Sequence, residues 1–456
     1  MKKKVNKVVI TEKTPIWSKI NDPKVISNYL QYEYEFWRDT PYGKERIMGR
    51  GRLVSKEGYF LTGFLKRVFN FLKENNIDYE NKCEIDWDKD IVVNDPKIKN
   101  IKYRKWQQKA LQVFDHCYRG VWQAPTGSGK TILFCGIIKM YNLPSLVIVH
   151  TESLFNQTYE VLQEFFGNVG RIGCGFNDEE NISVAMIQTL SRKRNFNWGK
   201  WGVVVTDEAH HLNKISGTYA KTLMKIPAPV RIGVTATMPT TSEGKMVLEG
   251  IIGPKLGQTT YEELIEEGAM AKPVIKIYET PEMIYDKKKL KGGYTIIYDE
   301  LIVNNELRNK LIVEKTKELV DQGRTCLVMV ERVRHGIKLL RLLEKKLSGV
   351  FTFLHGETPT VTKEKERQDF KAKKRKGIIA TRVWSEGIDI KTVGAVVNAI
   401  GGESEIATIQ RFGRGLRVAE GKVDVVLVDF FDANSHWWFI KHSGKRICSY
   451  IKFGWL

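Results

Sequence analysis

The longest apolar runs in this 456-residue sequence are short, such as SLVIV, VVVT and DVVLV. A bilayer-spanning helix needs ~20 consecutive apolar residues, so no segment reads as a membrane span. The start, MKKKVNKVVITEKTP, is basic and lacks the apolar core of a signal peptide. The expectation is a cytoplasmic protein with no membrane partner. Cysteine is scarce and scattered: Cys83, Cys117, Cys135, Cys174, Cys326 and Cys448 contain no CxxC pair. That spacing argues against a local zinc site or disulfide framework and for reduced thiols. Acidic residues are outnumbered, 53 against 73 Lys and Arg, leaving a formal charge of +20. Such an excess favours a polyanionic partner, nucleic acid first, provided the site residues agree.

A hydrophobic content of 42 % and an aromatic content of 11 % exclude global disorder. The length allows two or three domains. Residues 1–97 read as a small basic α+β module. IMGRGRLVSKEGYFLTG has the alternation and glycines of short strands or a hairpin. FLKRVFNFLKEN then repeats Phe64, Leu65, Val68, Phe69, Phe71 and Leu72 at helical spacing, as a helix packed on its own small sheet. Lys2, Lys3, Lys4, Arg46, Arg50, Arg52 and Lys66 give this module a DNA-binding character.

From about residue 102 short β-branched runs alternate with helical patterns. LVIVH (146–150), ISVAMI (182–187), WGVVVTD (201–207) and VRIGVTA (230–236) fit buried strands of a parallel sheet. TCLVMV (325–330), FTFLHG (351–356), KGIIAT (376–381), GAVVNAI (394–400) and DVVLVDF (424–430) form a second series. The expected fold is α/β, with domains at 98–255 and 301–456 and a linker or insertion over 256–300.

APTGSGKT (124–131) is a phosphate-cradling loop. Gly127 and Gly129 let the backbone turn and aim N–H groups at phosphate oxygens; Pro125, Thr126 and Ser128 complete it. Lys130 reaches the β/γ-phosphates and the Thr131 hydroxyl can hold Mg²⁺. About seventy residues on, VVVTDEAHHLNK ends a predicted strand. Asp207 is placed to hold the same Mg²⁺ and Glu208 to orient or deprotonate the attacking water. His210 and His211 lack HxxxH spacing, which disfavours zinc; His210 reads as a polar coupling residue, His211 as structural or surface. In QRFGRGLR, Arg414 and Arg417 lie three residues apart and share a helical face, as Arg411 and Arg414 do. Arg414 and Arg417 read as finger-like groups for the γ-phosphate, and Arg411 as a surface or nucleic-acid contact.

DEAH with APTGSGKT and VTATMP (234–239) resembles the superfamily 2 helicases of DEAH-box type. Within that superfamily the chain looks most like the phage UvsW-like and XPB-like DNA helicases. The resemblance covers roughly 100–430 and implies two tandem RecA-like domains. It implies ATP and Mg²⁺ as cofactors. YRKWQQ (103–108) would put Arg104 and Gln107 near the adenine. Thr235 and Thr237 would couple hydrolysis to domain motion. VIVHTESLFNQ (147–157), MIQTL (186–190) and LHGET (354–358) would contact nucleic acid through His150, Thr151, Gln188, Thr189, His355 and Gly356. ATRVWSEGIDI (380–390) would place Thr381 near nucleic acid and Gly387 and Asp389 near the nucleotide; IQRFGRGLR (409–417) would place Gln410. Glu152 matches poorly, since a carboxylate repels phosphate; it serves better as a helix cap. Trp384 stacks on a base, acts as a wedge, or packs in the core. The implied activity is an ATP-dependent DNA helicase or translocase, 3′–5′, remodelling single-stranded and branched DNA. An RNA helicase and a duplex-translocating motor subunit are the alternatives. No obligate protein partner is evident. The basic runs KKKLK (287–291) and KAKKRK (371–376), and the tail with Trp437, Trp438, Phe439, Lys441, Lys445, Arg446 and Lys452, are either nucleic-acid contacts or solvated and docking surfaces.

Overall fold

The computed structural model describes residues 7–12, 14–40, 43–82, 91–282, 293–381, 392–402, 424–433 and 435–456, apart from the side chains of Glu12, Lys44 and Thr360. Trp384, Gly387, Asp389, Gln410, Arg411, Arg414, Arg417 and the run 287–291 lie outside the described residues. The chain divides into two compact units. One takes the chain up to Ala124 and Gly129–Thr259; the other takes Pro125–Ser128 and Thr260–Leu456.

In the first unit a small mixed sheet has the order β5-β2-β1-β6, from β1 (Val8–Glu12), β2 (Trp17–Ile20), β5 (Tyr59–Leu61) and β6 (Tyr79–Asn81). The helix Leu65–Glu74 packs on it through fully buried Val68 and Leu72, as the 3.6-residue period predicts. β3 (Gln31–Thr40) and β4 (Gly43–Arg52) form a separate two-stranded ribbon.

This module is not an isolated body. Its core residues Ile10, Phe60, Leu61 and Phe64 belong to one continuous hydrophobic cluster with Leu146, Val204, Val247 and Ile251. The close approach is made at Gly63, where a Cβ would collide with the carbonyl oxygens of Glu249 and Gly250. A Cβ on Gly250 would in turn meet Leu61 and Phe64. Arg67 pairs with Glu249 at 3.4 Å beside this crossing.

The large sheet of this unit has eight strands among the described residues, ordered β10-β9-β11-β8-β12-β13-β7-β14. They are β7 (Arg119–Gln123), β8 (Ser145–Val149), β9 (Gly170–Gly173), β10 (Phe176–Asp178), β11 (Ile182–Met186), β12 (Val203–Asp207), β13 (Val230–Thr235) and β14 (Lys255–Gln258). Pairing is parallel except between β9 and β10. β8, β12 and β13 are buried at every position, which is why they read as unbroken apolar runs. The exception inside β13 is Arg231, fully buried, which donates to the carbonyls of Leu223, Ile226 and Ile251 at 2.9, 2.6 and 2.7 Å. It thereby satisfies chain ends of the helices Thr218–Leu223 and Ser242–Ile251. Burial, with Arg119 nearby, pushes its pKa well down from the usual guanidinium value.

Among the described residues the second unit carries a six-stranded, wholly parallel sheet, order β15-β20-β19-β16-β18-β17. Its strands are β15 (Lys272–Glu279), β16 (Cys326–Val330), β17 (Phe351–Leu354), β18 (Gly377–Thr381), β19 (Ala395–Asn398) and β20 (Asp424–Phe431). The architecture is therefore two RecA-like parallel-sheet domains with a smaller mixed N-terminal layer. Each segment named above as a strand forms one. Within 256–300, residues 272–279 form β15, which pairs with β20 over eight residues. β7 carried little signal, since RGVWQ has two large apolar residues.

The C-terminal helix Trp437–Lys452 docks Phe439, fully buried, against Ile297, Tyr298 and Leu301, while Trp437 stays 59 % exposed. Arg446 is no surface contact. It is buried and bridges to Asp429 at 2.9 Å, with the Tyr450 hydroxyl donating to the same carboxylate at 2.6 Å. Burial disfavours its charge, but Asp429 outweighs that and holds its pKa above the usual value.

No helix among the described residues is long and apolar enough to cross a membrane, and the described cysteines are free.

Replacing Gly63 with Val should loosen the crossing by about 1–3 kcal/mol, the usual cost of overpacking. Limited proteolysis should then cut between the N-terminal layer and residue 100 faster than in the parent. An unchanged cleavage pattern and melting temperature would contradict the crossing.

Candidate functional site

β12 lies between β8 and β13 near the centre of its sheet, and its five buried residues deliver Asp207 at the C-terminal end. Ligands of open parallel sheets bind beyond this end. The turn that follows is unusual, since Glu208 has φ +47°, ψ +50° in the left-handed region. A non-glycine residue held there stores strain and marks a place where a side chain is aimed for a purpose.

The phosphate loop leaves the end of β7. Gly127 and Gly129 have φ +83° and +92°, so the two glycines are there because the backbone demands them. A Cβ on Gly129 would also press on Gln107 Nε2 at 3.0 Å. The helix Lys130–Tyr141 starts at the end of the loop and turns its free N–H groups toward it. Its Cys135 is buried, which pushes the thiol up to about 12 and keeps it inert.

Lys130 Nζ lies 3.0 Å from Glu208 Oε1 and 3.9 Å from Asp207 Oδ1. The carboxylates are 5 % and 9 % exposed, so this is a buried triad of one cation and two acids. Asp207 also accepts the Glu208 backbone N–H at 2.9 Å. Burial dominates Asp207 and raises its pKa to about 6, against the pull of Lys130. Burial works the same way on Glu208, but Lys130 and His210 overcome it and hold that carboxyl well below the usual range.

His210 carries the site outward. Its Nδ1 is 3.3 Å from Glu208 Oε2 and 2.9 Å from Thr235 Oγ1. Thr235 Oγ1 donates to the carbonyl of Thr237 at 2.8 Å, and the Thr235 carbonyl accepts Ala124 N–H at 2.9 Å. The acid, the histidine, the threonine loop and the start of the phosphate loop lie along one series of close polar contacts. His211 goes elsewhere: its ring packs on His150 at 4.3 Å and stacks on Tyr219 at 5.4 Å. Burial, with His210 and His150 adding like charge, pushes its pKa down to about 3, so it is neutral near pH 7.

Gln107 Oε1 accepts the Arg104 backbone N–H at 2.8 Å at the start of the helix Lys105–His116. Gln107 is buried and donates to the Gly129 carbonyl at 2.9 Å, so it braces the phosphate loop. Thr151 caps the helix Glu152–Phe166, accepting Leu154 N–H at 3.3 Å; Glu152 sits in its first turn. Gln188 donates to the His150 carbonyl at 2.9 Å, and Thr189 lies on the same helix, Ile187–Arg192. In the second unit His355 and Gly356 occupy the loop after β17, where His355 N–H donates to Thr358 at 3.1 Å. Thr381 ends β18 and is 7 % exposed. Tyr219, the third ring of the histidine stack, has no local signal in sequence.

The donor set fits a magnesium nucleotide. Asp207 and Thr131 offer oxygen ligands, and Mg²⁺ usually takes only one or two from protein. The Thr126 hydroxyl is buried with no partner among the described residues, as an oxygen aimed at a polar ligand would be. Among the described residues no cluster of three or more His, Cys, Asp or Glu could hold a metal without such help.

Residues 100–240 match the family model "Type III restriction enzyme, res subunit", and residues 308–419 match "Helicase conserved C-terminal domain". The "putative DNA 3'-5' helicase Rad25" of Halobacterium salinarum is 26 % identical over 357 residues, covering 74 % of this chain and 56 % of that one. The chain thus spans about half the length of this relative. The "ATP-dependent DNA helicase uvsW" of Enterobacteria phage T4 is 24 % identical over 354 residues, covering 72 % of this chain and 68 % of that one. A fragment of a putative HsdR subunit of a type I restriction enzyme from Vibrio vulnificus shares the fold. Its TM-score is 0.57 at 14 % identity, over 90 % of this chain and 89 % of that one.

The raised Asp207 pKa sets a sign for pH dependence. Below about 6 the carboxyl is protonated and offers a metal no charge, so Mg²⁺-dependent nucleotide binding should weaken as pH falls through that value. Saturating Mg²⁺ should move the midpoint lower, and Asp207→Asn should flatten the curve. Titration with a fluorescent ATP analogue, with and without Mg²⁺, measures all three; a flat wild-type curve between pH 5 and 7 would count against Asp207 as the ligand.

Proposed function

We infer from the membership of this chain in superfamily 2, where it is related to the UvsW- and XPB-type DNA helicases, that it is an ATP-driven 3′–5′ motor on DNA. The observation that carries this reading is the circuit Lys130–Glu208–His210–Thr235 at the end of β12. Its residues bind a phosphate, hold a water and pass the state of the site to a neighbouring loop.

ATP with Mg²⁺ supplies the phosphoryl group and the metal charge. Lys130 exchanges Glu208 for a phosphate oxygen. Glu208, freed from the lysine but still held by His210, orients the attacking water. Once the lysine has left, this carboxylate either orients the water or takes its proton. Asp207 and Thr131 hold the metal side. Arg414 and Arg417 supply positive charge to the γ-phosphate as charge redistributes in the transition state. Gly387 and Asp389 face the nucleotide, and Gln410 joins His210, Thr235 and Thr237 in coupling. ATP favours one arrangement of the two RecA-like domains and product release the other, which moves a bound strand.

The proposed substrate is single-stranded and branched DNA, with unwinding, fork regression or branch migration as the outcome. Phosphates are gripped by Thr151, Gln188, Thr189, His355, Gly356 and Thr381 at loop positions. His150 serves this grip indirectly, because its ring is engaged by His211. The first family model favours a second reading, a duplex-DNA translocase motor acting within a larger assembly.

ATP hydrolysis should be stimulated by single-stranded or forked DNA more than by RNA of the same sequence. Lys130→Ala and Glu208→Gln should lower kcat by at least ~10²-fold in that assay, the scale of losing an essential preorganised group. Arg417→Ala should lower kcat with little change in nucleotide affinity. Stimulation by blunt duplex alone, with no conversion of model forks, would favour the translocase reading; equal turnover with and without any nucleic acid would sink both.

A further inference from the structure

The ribbon β3–β4 is the part of the first unit that its packing does not explain. Among the described residues it pairs with no other sheet. Its base is tied down, with Leu53 N–H donating to the Leu30 carbonyl at 2.8 Å and Glu33 N–H to Ser242 Oγ at 3.3 Å. Beyond the base it carries apolar surface into solvent: Tyr34, Phe36, Trp37 and Met48 are 40, 41, 67 and 58 % exposed. A free two-stranded ribbon is marginal in water, and exposed aromatics on it are a liability unless they are used.

The register shows how the rings are arranged. Tyr32, Tyr34 and Phe36 fall on one face, opposite Gly51, Gly49 and Ile47. A Cβ on Gly49 would lie 2.6 Å from Tyr34 Cζ, and one on Gly51 would run into Tyr32, so these tyrosines lie flat across the glycines. Ring centroids are 6.0 Å apart from Tyr32 to Tyr34 and 5.8 Å from Tyr34 to Phe36. The result is a ladder of rings rising from a half-buried rung to two open ones. That spacing is well above the ~3.4 Å per nucleotide along a duplex strand. Successive bases can meet successive rings only on an unpaired, extended strand.

The charges point the same way. On the other face Glu35 is neutralised by Arg46 and Glu33 by Arg50, at 2.9 and 3.5 Å. Arg38 and Arg52 have no ion pair among the described residues. An open cleft of about 580 Å³ at the ribbon's base is lined by Asn28, Gln31, Arg50 and Arg52, with no acid among them. Arg52 and two amides suit a phosphate diester, with Arg50 beside them shared with Glu33.

We propose that this ribbon is a stacking surface for single-stranded DNA, with bases on Tyr34 and Phe36 and a backbone phosphate in the cleft beside Arg50 and Arg52. The proposal rests on the reading of the chain as a DNA motor and adds a strand-holding site outside its two RecA-like domains.

The test is fluorescence anisotropy of the full chain with a labelled 20-nucleotide oligo-dT, without ATP. The double variant Tyr34→Ala/Phe36→Ala should raise Kd at least about tenfold, while Tyr34→Phe and Phe36→Tyr keep the rings and the affinity. Affinity for a blunt 20-bp duplex should not change. Arg52→Ala should weaken binding a few-fold and reduce the salt slope by about one. Each variant should hydrolyse ATP at the parent rate without DNA, which also shows that it is folded. Unchanged oligo-dT affinity in the double variant, as expected of a ribbon that docks a protein or a second copy of the chain, overturns the proposal. So does an equal loss on duplex. DNA-stimulated hydrolysis with normal binding by the ring variants would sink the ribbon alone. Loss of binding in a chain that never hydrolyses ATP would sink the motor and keep the ribbon.

Discussion

One buried cation between two buried acids sets the terms for the rest of the first unit. Lys130 cannot sit beside Asp207 and Glu208 unless each charge has a partner, because an unpaired charge at this depth costs several kcal/mol. The lysine is therefore fixed by the glycine turn before it, the glutamate by its left-handed backbone, and Glu208's outer oxygen by His210. His210 is itself held by Thr235, which ties β13 to the start of the phosphate loop. Disturbing any member strands a neighbour. The cluster behaves as a unit whose geometry changes when a new anion or cation enters it.

Much of this was legible in sequence, and for identifiable reasons. Phosphate loops and acidic strand ends are local: their residues are neighbours in the chain, so spacing alone reports them. The same holds for β8, β12 and β13, whose burial on both faces removes polar residues from the pattern. What was illegible is non-local. Tyr219 joins His211 and His150 only after the ends of β8 and β12 and the helix Thr218–Leu223 converge. The left-handed turn at Glu208 leaves no trace, since nothing in DEAH names a backbone angle. Gln107, expected near a base, is visible as a brace on Gly129 only once both helices are placed.

Charge was the least faithful guide. A net +20 invites every arginine to be counted toward a polyanion. Arg231 instead caps helix ends inside the first sheet. Arg308, fully buried, donates to Asp432 at 2.9 Å and to the Ala399 carbonyl at 2.9 Å. Arg446, in a tail that looked like a basic patch, is locked to Asp429. Arginine suits such places because its fork satisfies several acceptors at once. The cations that remain for a phosphate backbone are those at loop ends and on the ribbon.

The crossing of Gly63 with Gly250 has a mechanical meaning. Gly63 lies against the carbonyls of Glu249 and Gly250 while Leu61 and Phe64 close over Gly250, which leaves the N-terminal layer and the helix Ser242–Ile251 little room to slide. That helix follows directly from the loop of Thr235 and Thr237. The same helix meets the N-terminal layer near its C-terminal end through this crossing and the ribbon's base at its start through Ser242 Oγ, so one rigid element links both to the end of β13.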